Sequence, residues 1–75
     1  MSMTVSTLFQ HTGDYPIPVF NTHENTILGW VFTDEFFIVV GRLGLFEMTQ
    51  VISSSGIGCV WHSDLAVCVA FEEER

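Results

Sequence analysis

Seventy-five residues leave room for one domain, and a chain this short buries only about 60% of the surface it exposes when unfolded, so it must rest on a single core. Nine carboxylates stand against two arginines, Arg42 and Arg75, and there is no lysine; at a net charge of −7 the surface repels phosphate, which argues against direct nucleic-acid binding and against an anionic membrane. Yet 48% of the residues are apolar and seven are phenylalanine, more than a core of this size hides, so part of that surface is expected to meet a partner.

No window keeps apolar residues at helical spacing for three turns, and the β-branched and aromatic residues come in short runs broken by turn formers. The chain therefore reads as all-β. A first strand, Thr4 to Phe9, leads to turn chemistry at His11-Thr12-Gly13-Asp14. The next, Ile17 to Phe20, is crowded by Pro16 and Pro18, which cannot donate to a ladder, so "YPIPVF" is expected at a sheet edge or in an irregular arm. After the Asn21 to Asn25 turn comes Thr26 to Phe32, in which Trp30, beside Gly29, is read as a core residue. The Thr33-Asp34-Glu35 turn places two solvated carboxylates before Phe36 to Gly41.

Arg42-Leu43-Gly44 then turns into Leu45 to Ile52. Alternation there puts Phe46, Met48, Gln50 and Ile52 on one face and Leu45, Glu47, Thr49 and Val51 on the other, a half-exposed strand. The Ser53 to Gly56 turn is followed by Gly58 to Trp61, a short 3₁₀ turn near residues 62–65, and Ala66 to Phe71. Both faces of Phe36 to Val40 and of Ala66 to Phe71 are apolar. One interior accommodates one face of each strand, so the other face is expected under a second copy or another protein. Residues 72–75 read as a solvated, frayed acidic end of a single domain spanning 1–75.

Gly58-Cys59-Val60-Trp61-His62-Ser63-Asp64-Leu65 resembles the segment that closes SH3 and bacterial SH3-like domains, where a Gly, an aromatic and a Val or Ile precede a 3₁₀ turn and a Leu or Val. Thr7 to Asp14 is similar to the opening segment of that family, and Leu45-Phe46-Glu47-Met48 occupies the place of its third strand. The resemblance implies a small SH3-like β-barrel of five to six short antiparallel strands. It also implies a binding surface at Phe9, His11, Leu45, Trp61 and Asp64. Leu45 stands where the family has a tryptophan, Trp61 where it has a proline and Asp64 where it has a tyrosine, which argues against recognition of proline-rich peptides.

The residues suggest no catalyst. His62-Ser63-Asp64 has the letters of a catalytic triad, but neighbouring side chains diverge and do not form the required relay. Cys59, His62, Cys68, His11 and His23 include thiolate and imidazole donors, yet no second paired-ligand motif completes a four-ligand zinc site, and no metal or cofactor is expected. "GRLG" and "GIG" lack the lysine and the helix of a phosphate loop. The longest apolar run, Phe36 to Val40, is far short of the ~20 residues of a spanning helix, and "MSMTVSTLFQ" has no basic and apolar signal pattern. A cytoplasmic setting is expected, with Cys59 and Cys68 as free thiols packed like small hydrophobes.

These readings converge on a non-catalytic protein-interaction module that self-associates. Contacts are expected at Phe9, His11, Leu45, Trp61 and Asp64, and an acidic rim from Asp14, Glu24 and Asp64 should favour a basic partner. Two rivals use the same residues differently. One is an acidic inhibitor, of the kind viruses direct at host defence, that imitates nucleic-acid charge on an enzyme. The other is a structural subunit of a larger assembly.

Overall fold

The computed structural model describes residues 6–24, 26–42 and 47–71. It is all-β, with seven strands: β1 (Thr7–His11), β2 (Ile17–Phe20), β3 (Ile27–Val31), β4 (Phe36–Arg42), β5 (Met48–Ser53), β6 (Gly56–Trp61) and β7 (Cys68–Phe71). A 3₁₀ helix, His62–Val67, joins β6 to β7. Thr4 and Val5 of the first expected strand, Asn25, the Leu43-Gly44 part of one turn, Leu45, Phe46 and the 72–75 tail lie outside the described residues.

Turn chemistry sets the ends of these strands. Asn21 Oδ1 accepts the amides of His23 and Glu24 at 2.8 and 3.1 Å, an Asx turn that closes the β2–β3 hairpin. Between β3 and β4, Asp34 adopts φ 74°, the left-handed region that Asp tolerates. There the Phe32 amide donates to Glu35 Oε1 at 2.8 Å. Gly56, at φ 115°, completes the β5–β6 turn, where Ser53 Oγ accepts the Ser55 amide at 3.1 Å.

All strands lie in one antiparallel sheet of order β3-β2-β6-β5-β4-β1-β7. The expected five- to six-stranded barrel is corrected to an open seven-stranded sheet, because the first and last strands of that order are not paired with each other. The β2–β3 hairpin is an arm added beyond β6, to which β2 is joined by the single ladder pair Phe20↔Cys59. That short junction also corrects the placement of Pro18, since β2 is an inner strand in the order. The Asn21 amide turns to Thr26 O on the β3 side, so alternation directs Phe20 and Pro18 the other way, where the β6 ladder has already ended. The missing N–H of Pro18 is thus not needed there. The last strand begins later than expected, since Ala66 and Val67 belong to the 3₁₀ helix.

The inward positions of every layer meet in one core. Ile17 and Val19 from β2, Val31 from β3, Phe37 from β4, Val51 from β5 and Val60 from β6 are almost wholly buried, with Phe9, Val39, Leu65, Val67 and Cys68 packed against them. Gly58 permits the arm to close down on β6: a Cβ there would stand 2.5 Å from the Phe20 carbonyl oxygen and 2.8 Å from Val19 Cγ1. Among the described residues no helix is long and apolar enough to cross a membrane.

Candidate functional site

Alternation along β1 sends Phe9 and His11 inward and Leu8 and Gln10 outward. Phe9 stacks on Phe37, its partner in the β1–β4 register, with ring centroids 5.7 Å apart. His11 is wholly buried. Its backbone amide donates to Glu35 O at 2.9 Å and its carbonyl accepts from the Asp34 amide at 2.7 Å. The ring is satisfied too, since Nδ1 accepts the Gly13 amide at 3.2 Å and Nε2 faces the Tyr15 carbonyl. One tautomer, bearing its proton on Nε2, makes both bonds. Gly13 has to be small here, because a Cβ would stand 2.9 Å from the imidazole and 3.0 Å from Val67.

Cys68 Sγ lies 4.0 Å from His11 Nδ1 and 3.6 Å from the Asp64 carbonyl oxygen. A thiol beside an imidazole is the grouping of a cysteine nucleophile and its base. Here it is tuned the other way. Burial first, and then the Asp64 carboxylate, push the thiol from its ordinary 9.0 up to about 11, so it stays protonated at neutral pH. The Nδ1 lone pair already accepts the Gly13 amide. Burial also raises the Asp64 pKa from its ordinary value, while the neighbouring His11 acts in the opposite direction. The corner thus holds a protonated thiol beside a buried imidazole.

The other end of the 3₁₀ helix differs in kind. Trp61 closes β6 with its backbone still extended, pairs with Met48 of β5 and remains 46% exposed. Its ring meets Phe20 edge-on, with centroids 6.1 Å apart. Beneath it, Cys59 Sγ lies 3.7 Å from both Met48 Sδ and the Phe20 carbonyl oxygen. Phe20, Met48 and Trp61 thus form an aromatic and thioether patch on the outer face. His62, the next residue, hydrogen-bonds through its backbone amide to Glu47 O at 2.9 Å, and its Nδ1 lies 3.3 Å from Oγ1 of buried Thr49.

The residues expected to form one surface are divided between two sides of the sheet. Trp61 lies outside, Asp64 is half-buried in the 3₁₀ helix, and Phe9 and His11 face the core. Leu45 lies outside the described residues. For His11 this is a correction: its ring is enclosed and presents nothing to a partner, because the turn through Tyr15 folds over it. Asp14 and Glu24 are exposed on separate turns. Trp30 is corrected as well, being 41% exposed rather than in the core. It pairs with Pro18, and the inward places on the arm go to Ile17, Val19 and Val31. Phe20 and Met48 complete the Trp61 patch without any sequence signal that marks them as site residues. Their alternation was readable, but the register that brings them to Trp61 was not.

Compared with known proteins, the chain matches no family model, no curated protein and no solved structure.

Proposed function

We propose that the chain is a non-catalytic protein-interaction module, related to SH3-like domains, that self-associates and offers the Trp61 patch to a basic protein partner. The observation that carries this reading is the distribution of apolar surface. Trp30, Trp61, Phe32, Phe36, Phe71 and Ile57 each expose 41% or more, although the polar ring of His11 is fully enclosed. Large aromatics left in solvent at a strand end are the residue type on which binding energy concentrates. The SH3-like relationship is supported by the Gly58 to Leu65 corner, where β6 passes through Trp61 into the 3₁₀ helix as that resemblance implies.

The acidic surround favours a basic partner. Asp64 follows Trp61 within the 3₁₀ helix, and Glu47 precedes β5 beside His62. Such charges act mainly on encounter rate and selectivity. Immobilised wild-type chain and Trp61→Ala, exposed to the same cell extract, test the reading. A partner held by the wild type, lost from the variant and weakened by salt is expected; equal capture by both removes the Trp61 patch from the proposal.

One observation favours the charge-mimic reading. Asp34 and Glu35 hydrogen-bond to the His11 main chain, Asp14 follows the Gly13 whose amide meets the His11 ring, and Asp64 feels the charge of that ring, so four acidic residues come from segments around His11. Binding to a DNA-handling enzyme that is lost on neutralising Asp34 and Glu35, and untouched by Trp61→Ala, would select that reading instead.

A further inference from the structure

The registers of four strand pairs place one row of apolar side chains across the outer face. Phe71 of β7 is opposite Leu8 of β1, Leu8 opposite Ile38 of β4, Ile38 opposite Ile52 of β5, and Ile52 opposite Ile57 of β6. Directly paired residues point to the same side of a sheet, so these five side chains form a continuous band over five strands. Their exposures run from 36% to 63%. Phe36 adds to the band, with its ring 6.0 Å from that of Phe71 and 54% exposed. No described carboxylate lies on a strand: Asp14, Glu24, Asp34, Glu35, Glu47 and Asp64 occupy turns, the segment before β5, or the 3₁₀ helix.

We infer that the partner seated on this band is a second copy of the chain, in a two-fold dimer whose outer faces stack. The inference rests on the interaction reading above and names the occupant for a different part of the outer face from the Trp61 patch. Area is the first argument. At roughly 150–200 Å² for a complete side chain of this size, the six residues leave about 500 Å² of apolar surface. A standard interface buries about 800 Å² per partner, and homodimer interfaces are about 65% apolar; the band supplies that share from one side.

Charge is the second argument. A basic partner gains nothing from a band without carboxylates and finds its complement on the turns instead. The chain's own band is neutral, apolar and of matching extent, and a two-fold axis sets it against itself while the carboxylate-bearing turns stay at the periphery. Each copy carries −7, so the pair assembles against long-range repulsion. Added salt screens that repulsion and strengthens the dimer, the reverse of its effect on a complex with a basic protein.

Sedimentation of the intact chain over a concentration series, at low and high salt, tests this together with the isoleucine methyl NMR spectrum. The five isoleucines are distributed usefully: Ile38, Ile52 and Ile57 lie in the band, Ile17 in the core and Ile27 on β3. The expected result is a dimer that tightens with salt, in which the methyl signals of Ile38, Ile52 and Ile57 shift with concentration while those of Ile17 and Ile27 stay fixed. Ile52→Lys should weaken the dimer by about tenfold or more, and the wild-type methyl experiment decides the matter should that variant not fold. A chain that remains monomeric at about 1 mM, where even weak pairs assemble, overturns the inference. So does a dimer whose moving signal is Ile27, or one abolished by Trp61→Ala; either of these leaves the interaction reading standing and removes only the band as its seat.

Discussion

The two ends of the 3₁₀ helix invert the usual rule of burial. At its C-terminal end the imidazole of His11, a polar ring, is completely enclosed, with both nitrogens satisfied and the Cys68 thiol beside it. At its N-terminal end Trp61, the bulkiest kind of apolar side chain, stands almost half in solvent. The His11 ring is enclosed by the described residues, whereas those same residues leave aromatic surface open at the Trp61 corner. Among the described residues no buried side-chain polar atom lacks a partner, so the molecule resolves its polar demands internally and leaves apolar ones open. That division separates a corner closed around a polar ring from one left open around an aromatic ring.

The largest effect that would break this comparison is expected at His11. His11→Ala removes a fully buried ring and leaves the Gly13 amide and the Tyr15 carbonyl without partners; a loss of about 3 kcal/mol in urea unfolding is expected. A loss below about 1 kcal/mol would mean that the corner is not a structural keystone. Gly58→Ala comes next. Its Cβ meets a backbone carbonyl rather than a yielding side chain, so the β2–β3 arm must shift, at about 2 kcal/mol.

Trp61→Ala should act oppositely to His11→Ala, changing unfolding free energy by only about 1 kcal/mol through loss of the Phe20 contact while abolishing partner capture. A strongly destabilised Trp61→Ala would collapse the distinction between the corners. The smallest effect concerns Cys68. Its thiol is raised in the folded chain, so the unfolded chain loses its proton first as the solution becomes alkaline, and folding then opposes ionisation. The stabilising contribution is complete below pH 9 and is lost as pH rises toward 11. Thiol alkylation of the native protein should accordingly be slow at pH 8 and accelerate only well above pH 9, whereas a fast-reacting Cys68 at neutral pH would indicate an activated pair with His11.

Much of the strand content was legible because period-two alternation and turn residues are local. Thr49 and Val51 point inward and Met48, Gln50 and Ile52 outward, as their spacing requires. Gly56 and Asp34 sit at turns as their conformational freedom predicts. The site was less legible. Phe9, His11 and Trp61 looked equivalent as aromatic letters, but facing is decided by strand register and by which segment folds over which. The Tyr15 turn, Gly13 and Cys68 close around His11, while the Met48↔Trp61 pairing brings the thioether to the indole and the Phe20↔Cys59 pairing brings the phenyl ring.

Sequence by itself determined the β class, the punctuation between strands, the one-domain size and the excess of apolar surface, since each depends on neighbours in the chain or on composition. Tertiary structure alone decided that the sheet stays open at β3 and β7, that Pro18 lies in an inner strand, and that Leu8, Ile38, Ile52, Ile57 and Phe71 fall in one line. The physical reason is that ladder partners lie far apart in the chain. Shifting one strand by a single residue reverses every side chain on it, and no local pattern records which neighbour it will meet.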